Sequence, residues 1–199
     1  MMGTSFQYAP EELRELGLAE LGKNLLIDKT VRFYGAQNIR IGDNTRIDAY
    51  CVISAGSAGV SIGRYTHIST GVALLGGAGI TIEDFCAVSA KVCIFTANDD
   101  YTGGAMTNPM VPDEYRHVTN APVVLKRHVI VGAGSVIMPG VTIGLGGSVG
   151  ALSFVNQSVA DFAIVAGCPI RTIGQRGRDL LTLEARFLAS IEPVRQKTP

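Results

Sequence analysis

Residues 125–155 read LKRHVI-VGAGSV-IMPGVT-IGLGGS-VGALSF-V, a run of six-residue units. An aliphatic residue heads each unit, and a small or slim residue follows it four positions later. The heads are Leu125, Val131, Ile137, Ile143, Val149 and Val155. A period of six matches neither the 3.6 residues of an amphipathic helix nor the two of a half-buried strand. It is typical of a chain that winds as a triangular prism, with one short strand on each face and three units in each coil.

The same frame runs through an earlier part of the chain. Its heads recur three at a time: Ile41, Ile47, Ile53, Ile62, Ile68, Leu74, Ile82, Val88 and Ile94. Three extra residues separate the first two sets, and two extra residues separate the second from the third. Residues 55–59 and 76–79 are rich in Gly and Ala and are suited to carry these extra residues as corner bulges.

The repeat stops between Thr96 and Pro122, where the composition becomes polar. A long irregular segment inside a compact repeat is usually functional or disordered. Because the strict frame resumes at Leu125, both ends of the segment are anchored, and we interpret residues 97–121 as an active-site loop.

Short helices are predicted at both ends of the chain. Residues 1–9 are expected to lack regular structure, and Pro10 followed by acidic residues predicts a helix start. Asp179 is expected to cap a second helix, which Pro193 stops and which covers the open end of the prism. Its apolar side chains recur at helical spacing: Leu180, Leu183, Phe187, Leu188 and Ile191.

The predicted fold is all-β: a parallel β-helix of hexapeptide repeats with a short N-terminal helix, a long excursion loop and a C-terminal helix. We divide the chain into an N-terminal segment (1–22), the β-helix with its loop (23–176), and a C-terminal helix and tail (177–199).

Composition excludes several classes of function. Seventeen Lys and Arg balance seventeen Asp and Glu, so no overall charge attracts nucleic acid or a membrane surface. Residues 129–160 are uncharged and long enough to suggest a membrane span, but seven glycines and the six-residue period argue against one. The N-terminus has no apolar segment typical of a signal peptide.

The four cysteines follow the repeat rather than a disulfide or metal pattern. Cys51 and Cys86 occupy the slim inward position, Cys93 a coil edge and Cys168 a late turn, and no CxxC occurs. Four reduced thiols indicate a cytoplasmic protein.

The hexads, the loop after Ile94 and the sequence Ala-Gly-Cys-Pro-Ile-Arg at residues 166–171 together resemble the left-handed parallel β-helix acyltransferases. This resemblance covers about residues 20–195. It implies a left-handed coil, a homotrimer, and an acyl-CoA co-substrate bound in the groove between neighbouring chains, with no tightly bound cofactor.

One subgroup is most similar. The helix at residues 11–16, the sequence Ile-Gly-Arg-Tyr-Thr-His at residues 62–67 and Asn-Asp-Asp at residues 98–100 carry this resemblance. It implies acylation of the amino group of a nucleotide-linked amino-deoxy sugar, such as dTDP-4-amino-4,6-dideoxyglucose, for surface polysaccharides.

The residue at position 98 bears on which acceptor is used. Relatives that acylate sugar hydroxyls place a general-base His there, whereas this chain has Asn98. A hydroxyl needs such a base, but an amine with a pKa of about 8 is partly neutral already. The missing His therefore favours an amine acceptor.

Four residues are candidates for the catalytic site. Asp99 is predicted to orient the amine or take up its proton, and Asp100 is the fallback; the alternative is that both only form a turn. The resemblance implies that Ser89 hydrogen-bonds the thioester oxyanion, whereas its alternative role is to satisfy turn backbone. His67 either reaches a groove between chains or occupies a surface corner.

The other histidines are expected to contribute less. His117 is predicted to be a solvated loop residue, and His128 to face solvent at a corner. Their spacing does not match the three converging ligands of a zinc site, so no metal is expected.

Matching the repeats to the family implies six CoA-binding residues: Ala133, Ala151, Asn156, Gln157, Pro169 and Arg171. Of these, Arg171 follows a conformationally restricted Pro and suits phosphate recognition. Lys126 and Arg127 are weaker candidates.

The sequence thus predicts a cytoplasmic, trimeric, CoA-dependent N-acyltransferase, with acetyl-CoA as co-substrate and a nucleotide-linked amino sugar as acceptor. Two alternatives stay open. One is an O-acetyltransferase acting on a sugar or other small-molecule hydroxyl, and the other is a non-catalytic β-helix scaffold.

Overall fold

The computed structural model describes residues 6–191, which form a triangular parallel β-helix. Each coil contributes one short strand to each of three sheets, and equivalent strands of successive coils pair in parallel. The first sheet contains β1 (Glu20–Leu21), β4 (Ile39–Ile41), β7 (Val60–Ile62), β10 (Ile80–Ile82), β15 (Val123–Leu125) and β18 (Thr142–Ile143). The second contains β2 (Leu26–Ile27), β5 (Arg46–Ile47), β8 (His67–Ile68), β11 (Ala87–Val88), β16 (Ile130–Val131), β19 (Ser148–Val149), β21 (Ala163–Ala166) and β22 (Arg171–Gln175). The third contains β3 (Arg32–Tyr34), β6 (Val52–Ala55), β9 (Ala73–Gly76), β12 (Cys93–Phe95), β17 (Val136–Ile137) and β20 (Phe154–Val155).

The predicted heads fill the prism interior. All fifteen are buried, with exposed fractions of 0–2%. Strand pairing also confirms the frame: Ile41 pairs with Ile62, Ile62 with Ile82, and Leu125 with Ile143. The extra residues fall between β6 and β7 and between β9 and β10, as predicted.

The slim position is explained by its contacts. The Ser135 and Ser153 hydroxyls both donate to the carbonyl of Gly150, at 3.0 and 2.7 Å, and the Cys51 thiol lies 3.0 Å from the carbonyl of Ser69. These buried groups thus bond to turns of the same coil or a neighbouring one. A larger side chain has no room between the heads and those turns.

The excursion loop leaves and re-enters the β-helix at one corner. β13 (Ala97–Asn98) and β14 (Thr119–Asn120) pair antiparallel at its base, and the Ala121 amide donates to the Thr96 carbonyl at 3.0 Å. Two 3-10 turns, Ala36–Asn38 and Asp113–Tyr115, interrupt the irregular segments. Because these bonds hold the two ends of the loop together, the six-residue frame continues from β12 to β15 across the intervening residues.

The chain ends differ from the expectations. Residues 6–9 are not loose, because the Tyr8 amide donates to Ile27 and the Lys29 amide to Phe6. Helix α1 is Pro10–Glu15, as predicted. Residues 1–5 and 192–199, including Pro193, lie outside the described residues.

Helix α2 (Asp179–Ile191) begins at Asp179 and does not cover the end of the prism. It packs along one corner, where Tyr65, Phe85 and His128 occupy equivalent positions on successive coils and stack. Phe187 meets the rings of Tyr65 and Phe85 edge-on. The strand that closes the C-terminal end of the second sheet is β22, which runs antiparallel to β21.

The prediction that His128 faces solvent is wrong. Its side chain is 12% exposed, and Nε2 lies 2.8 Å from Glu184 Oε2 on α2. Arg127 Nη1 lies 3.3 Å from the same carboxylate, so α2 is held by an ionic contact as well as by aromatic packing. The sequence conceals these contacts because the partners are 56 residues apart.

No helix within residues 6–191 is long and apolar enough to cross a membrane. Residues 129–160 form the short strands β16–β20 of the prism instead.

The four thiols should differ sharply in reactivity. Burial raises the pKa of Cys51 to about 11 and that of Cys86 to about 12, whereas Cys168 is exposed. We expect iodoacetamide at about pH 8 to modify Cys168 rapidly and to reach Cys51 and Cys86 only after unfolding, because only the thiolate reacts. Mass spectrometry of the native protein would measure this, with Cys168→Ser as control. Fast native modification of Cys86 would contradict the buried position of that side chain.

Candidate active site

Ser89 lies at the corner where the second face turns into the third. It follows β11, and its amide donates to the carbonyl of Val131 at 2.9 Å in the next coil. The side chain is half-buried, and its hydroxyl makes no hydrogen bond within residues 6–191. The hydroxyl therefore does not satisfy turn backbone and is free to donate to a ligand.

Small residues continue this corner along the β-helix axis. Ala90, Ala133 and Ala151 follow one another on successive coils, joined by amide-to-carbonyl bonds of 2.9 Å from Gly134 to Ala90 and from Leu152 to Ala133. A Cβ added to Gly132 would lie 2.4 Å from the Ala151 amide nitrogen, so the stacking requires glycine there. Ala133 and Ala151 are exposed, which leaves a narrow strip of accessible turn backbone.

Arg171 lies at the C-terminal end of this strip. It is exposed in β22 and pairs with Ala166, which is next to Gly150 in the preceding coil. Exposed Pro169 precedes it, after a cis Cys168–Pro169 peptide. Gln157 and Arg171 line one small cavity of about 200 Å³.

The remaining predicted CoA contacts follow other strands. Asn156 and Gln157 follow β20 and belong to the next corner, where the third face ends. Lys126 and Arg127 occupy the remaining corner and are engaged by Glu83, at 3.0 Å from Lys126, and by Glu184. The weaker candidates are therefore separated from the strip that ends at Arg171.

The second group of catalytic candidates lies at the base of the excursion loop. Thr96 is fully buried there, donating to the Leu75 carbonyl and accepting from the Ala78 amide, both at 2.9 Å. Asn98 ends β13, and Asp99 follows it. Within the described residues the Asp99 carboxylate has no hydrogen bond and no ion pair, so it is available to a ligand.

Asp100 is placed quite differently. Its Oδ1 accepts from the Thr102 amide at 2.8 Å and from the Thr102 hydroxyl at 2.7 Å, and its Oδ2 accepts from the Ala105 amide at 2.9 Å. These bonds, above all that from the Thr102 hydroxyl, hold the pKa of Asp100 below its usual value. Both of its oxygens are used by its own loop.

An apolar cleft of about 480 Å³ lies on the outer side of the third face, at the start of the excursion loop. We call it the loop cleft; it is lined by Phe95, Asn98, Tyr101, Val136, Met138 and Phe154. Sequence reasoning missed its apolar residues, although large apolar side chains at outward positions beside the heads were a usable signal.

Ser89 and Asp99 are not brought together within one chain. Ser89 precedes the third face and Asp99 follows it, on the same coil, and β12 spans the face between them. Each chain thus carries a free hydroxyl at one corner and a free carboxylate at the other.

His67 projects from β8 on the outer side of the second face. Its Nε2 lies 2.7 Å from Asp48 Oδ2, and Arg46 Nε lies 2.6 Å from the other oxygen of Asp48. Burial opposes ionisation of Asp48, yet the bonds from His67 and Arg46 outweigh it and hold the pKa of Asp48 below its usual value. His67 pairs with Ala87 of the next coil, two residues before Ser89. His117 is exposed in the loop, and residues 6–191 contain no group of three or more His, Cys, Asp or Glu side chains placed to hold a metal ion.

The pairing of Asp48 has a consequence for stability. A carboxyl whose pKa is lowered by folding adds stability above its ordinary pKa of about 3.9 and loses it as the pH falls through the folded value. We expect Asp48→Asn to lower the free energy of unfolding by up to about 1 kcal/mol near pH 6, with the difference shrinking towards pH 3. Urea titrations would measure it, with Glu114→Gln, an exposed acid, as control. A difference independent of pH would assign the effect to packing.

No family model matches the chain. It is 39% identical over 179 residues to the dTDP-4-amino-4,6-dideoxy-D-glucose acyltransferase of Escherichia coli, covering 90% of this chain and 93% of the relative.

The fold matches solved structures of AntD, an N-acyltransferase from Bacillus cereus. One, in complex with dTDP-4-amino-4,6-dideoxyglucose and coenzyme A, superposes with a TM-score of 0.91 at 41% identity and covers 94% of this chain and 100% of AntD. Other AntD structures hold 3-hydroxybutyryl-CoA, or carry replacements of a serine or of an aspartate ten residues after it. A hexapeptide-repeat acetyltransferase from Vibrio cholerae superposes with a TM-score of 0.57 at 26% identity, covering 84% of this chain and 78% of the other.

Proposed function

Since the chain belongs to the hexapeptide-repeat acyltransferases of the dTDP-4-amino-4,6-dideoxyglucose type, we propose that it acylates the amino group of such a nucleotide-linked sugar. The donor is an acyl-CoA, with acetyl as the acyl group, and the product is an N-acylated sugar for surface polysaccharide. The reaction takes place in the cytoplasm, where free thiols such as those of this chain stay reduced.

This proposal rests on one observation, the hydrogen bonding of two side chains. Ser89 and Asp99 are the catalytic candidates that have no hydrogen-bond partner for their functional groups among the described residues. They are ten residues apart, the same spacing as the serine and aspartate replaced in the AntD structures. A hydroxyl that can donate and a carboxylate that can accept are what acyl transfer to an amine requires.

The chemistry follows from these roles. The neutral amine attacks the thioester carbon, and the Ser89 hydroxyl donates to the oxygen as it becomes negative. Asp99 orients the amine and accepts its proton as the amide bond forms. The carbon–sulfur bond then breaks and coenzyme A leaves as the thiolate. The proton held by Asp99 passes through solvent to the sulfur, which gives the free thiol and regenerates the Asp99 carboxylate. Asn98 supplies no base, which an amine with a pKa of about 8 does not need.

The strip from Ser89 through Ala133 and Ala151 to Arg171 supports binding of the CoA arm. Exposed turn backbone offers hydrogen bonds to pantetheine amides, and Arg171, preceded by Pro169, offers a charge to the phosphates. Gln157 shares the cavity of Arg171, whereas Asn156 follows the loop-side corner. His67 lies one coil away from Ser89 and is proposed to face the same groove.

A homotrimer would complete the site. One chain presents Ser89 and the strip at one corner and Asp99 with the loop cleft at the other, so a cyclic arrangement brings unlike corners of neighbours together. Three equivalent sites result, each with its hydroxyl from one chain and its carboxylate from the next.

The acceptor is tested by thiol release from acetyl-CoA. We expect release with dTDP-4-amino-4,6-dideoxyglucose and none with its 4-hydroxy counterpart, because Asn98 stands where relatives that acylate hydroxyls have their general-base His. 3-Hydroxybutyryl-CoA in parallel reports the acyl preference. Release with the hydroxy sugar would favour the O-acetyltransferase alternative, and absence of CoA binding would favour the scaffold.

The shared site is tested by complementation. Ser89→Ala should lower kcat about a hundredfold or more, as removal of an oxyanion donor does. Asp99→Asn should lower kcat by a similar factor, because it removes the proton acceptor. Co-expressed in equal amounts, they should recover about a quarter of wild-type activity, because random assembly joins the two intact corners at one site in four. No recovery in trimers verified by light scattering would place the whole site in one chain.

A further inference from the structure

Two adjacent carboxylates at the base of the excursion loop have different surroundings. Asp99 has no partner within the described residues, whereas Asp100 accepts three hydrogen bonds from Thr102 and Ala105. A carboxylate with both oxygens engaged by its own loop is poorly placed to receive a proton from a substrate. The chemical difference between the two is therefore one of contacts, not of residue type.

The bonds of Asp100 fix the chain immediately after Asp99. On the other side of Asp99, β13 pairs with β14, so Asp99 lies between two anchored points. The turn tolerates little change: Gly103 adopts φ +85°, and a Cβ added to Gly104 would lie 3.2 Å from Asp100 Oδ2. The direction of the Asp99 side chain thus depends on the bonds that Asp100 makes.

We infer that Asp100 is a positioning residue that acts through Asp99: its carboxylate closes the 100–105 turn and thereby aims the Asp99 carboxylate at the amine. This inference rests on the proposed function and assigns distinct roles to the two acids that the sequence leaves equivalent. Asp100 neither contacts the substrate nor takes up its proton.

The bonding pattern permits graded variants. Asp100→Ala removes all three bonds. Asp100→Asn keeps an oxygen for Thr102 but presents an NH2 group to the Ala105 amide, which also donates. Thr102→Val removes only the hydroxyl bond at nearly constant shape, and Thr102→Ser restores it.

The decisive experiment is a double-mutant cycle with the amino-sugar acceptor. We expect Asp100→Ala to lower kcat about tenfold or more while the KM for acyl-CoA changes less than about twofold, because misplacement affects the reacting geometry rather than donor binding. In the Asp99→Asn background the same change should have almost no further effect, because a residue acting through Asp99 is not additive with it. Thr102→Val should show a smaller loss that Thr102→Ser rescues.

A full additional loss in the Asp99→Asn background would overturn the inference and make Asp100 an independent catalytic or structural residue. A fully active Asp99→Asn variant would overturn it as well. Amide hydrogen exchange provides a readout without substrate: the Thr102 and Ala105 amides should exchange about tenfold faster or more in Asp100→Ala, and unchanged exchange would contradict the turn itself. An inactive wild-type enzyme with slow exchange at these amides would instead fault the proposed function.

Discussion

The interior of the prism is the constraint on which the rest of the molecule depends. Each of the five coils between Ile41 and Val155 places three aliphatic heads, such as Ile82, Val88 and Ile94, in one stacked core, and each head contributes roughly 1.5–3 kcal/mol by burial. A shift of one residue along a strand would turn every head outward. Insertions are therefore tolerated only at corners, and only if the chain returns to the same place. The bond from the Ala121 amide to the Thr96 carbonyl performs this closure for the excursion loop.

The same constraint explains why the candidate groups lie at corners. The backbone of residues on the faces pairs in the sheets, and the inward heads fill the core. Accessible hydroxyls, carboxylates and turn backbone therefore remain mainly at the corners, where two faces meet. Ser89 and Asp99 occupy two such corners of one coil. At Gly132 the turn backbone carries no side chain for a steric reason, since any side chain there would collide with Ala151.

Much of the fold follows from the sequence alone, because the heads, the slim positions and the bulges all repeat locally. Contacts between distant segments do not repeat and were not predictable. His128 appeared to be a corner residue in solvent, yet it meets Glu184 of α2, and the helix expected over the end of the prism lies along a corner instead. The two loop carboxylates could not be distinguished from the sequence for the same reason. Asn-Asp-Asp is consistent both with a turn and with a catalytic site, and only the hydrogen bonds from Thr102 and Ala105 distinguish Asp100 from Asp99.

A rigid prism cannot bend its own corners together, and this has a consequence for catalysis. β12 holds Ser89 and Asp99 apart at the two edges of one face, and any motion that joined them would unstack the core of that coil. An enzyme that needs both groups at one thioester must therefore take them from two chains. Under the proposed function, assembly of the trimer is then part of the catalytic apparatus rather than an addition to a finished site. The apolar loop cleft, which is lined by Asn98 and Tyr101 on either side of Asp99 in the chain, fits this view, because a neighbouring corner that brings the thioester would place the acyl chain next to it.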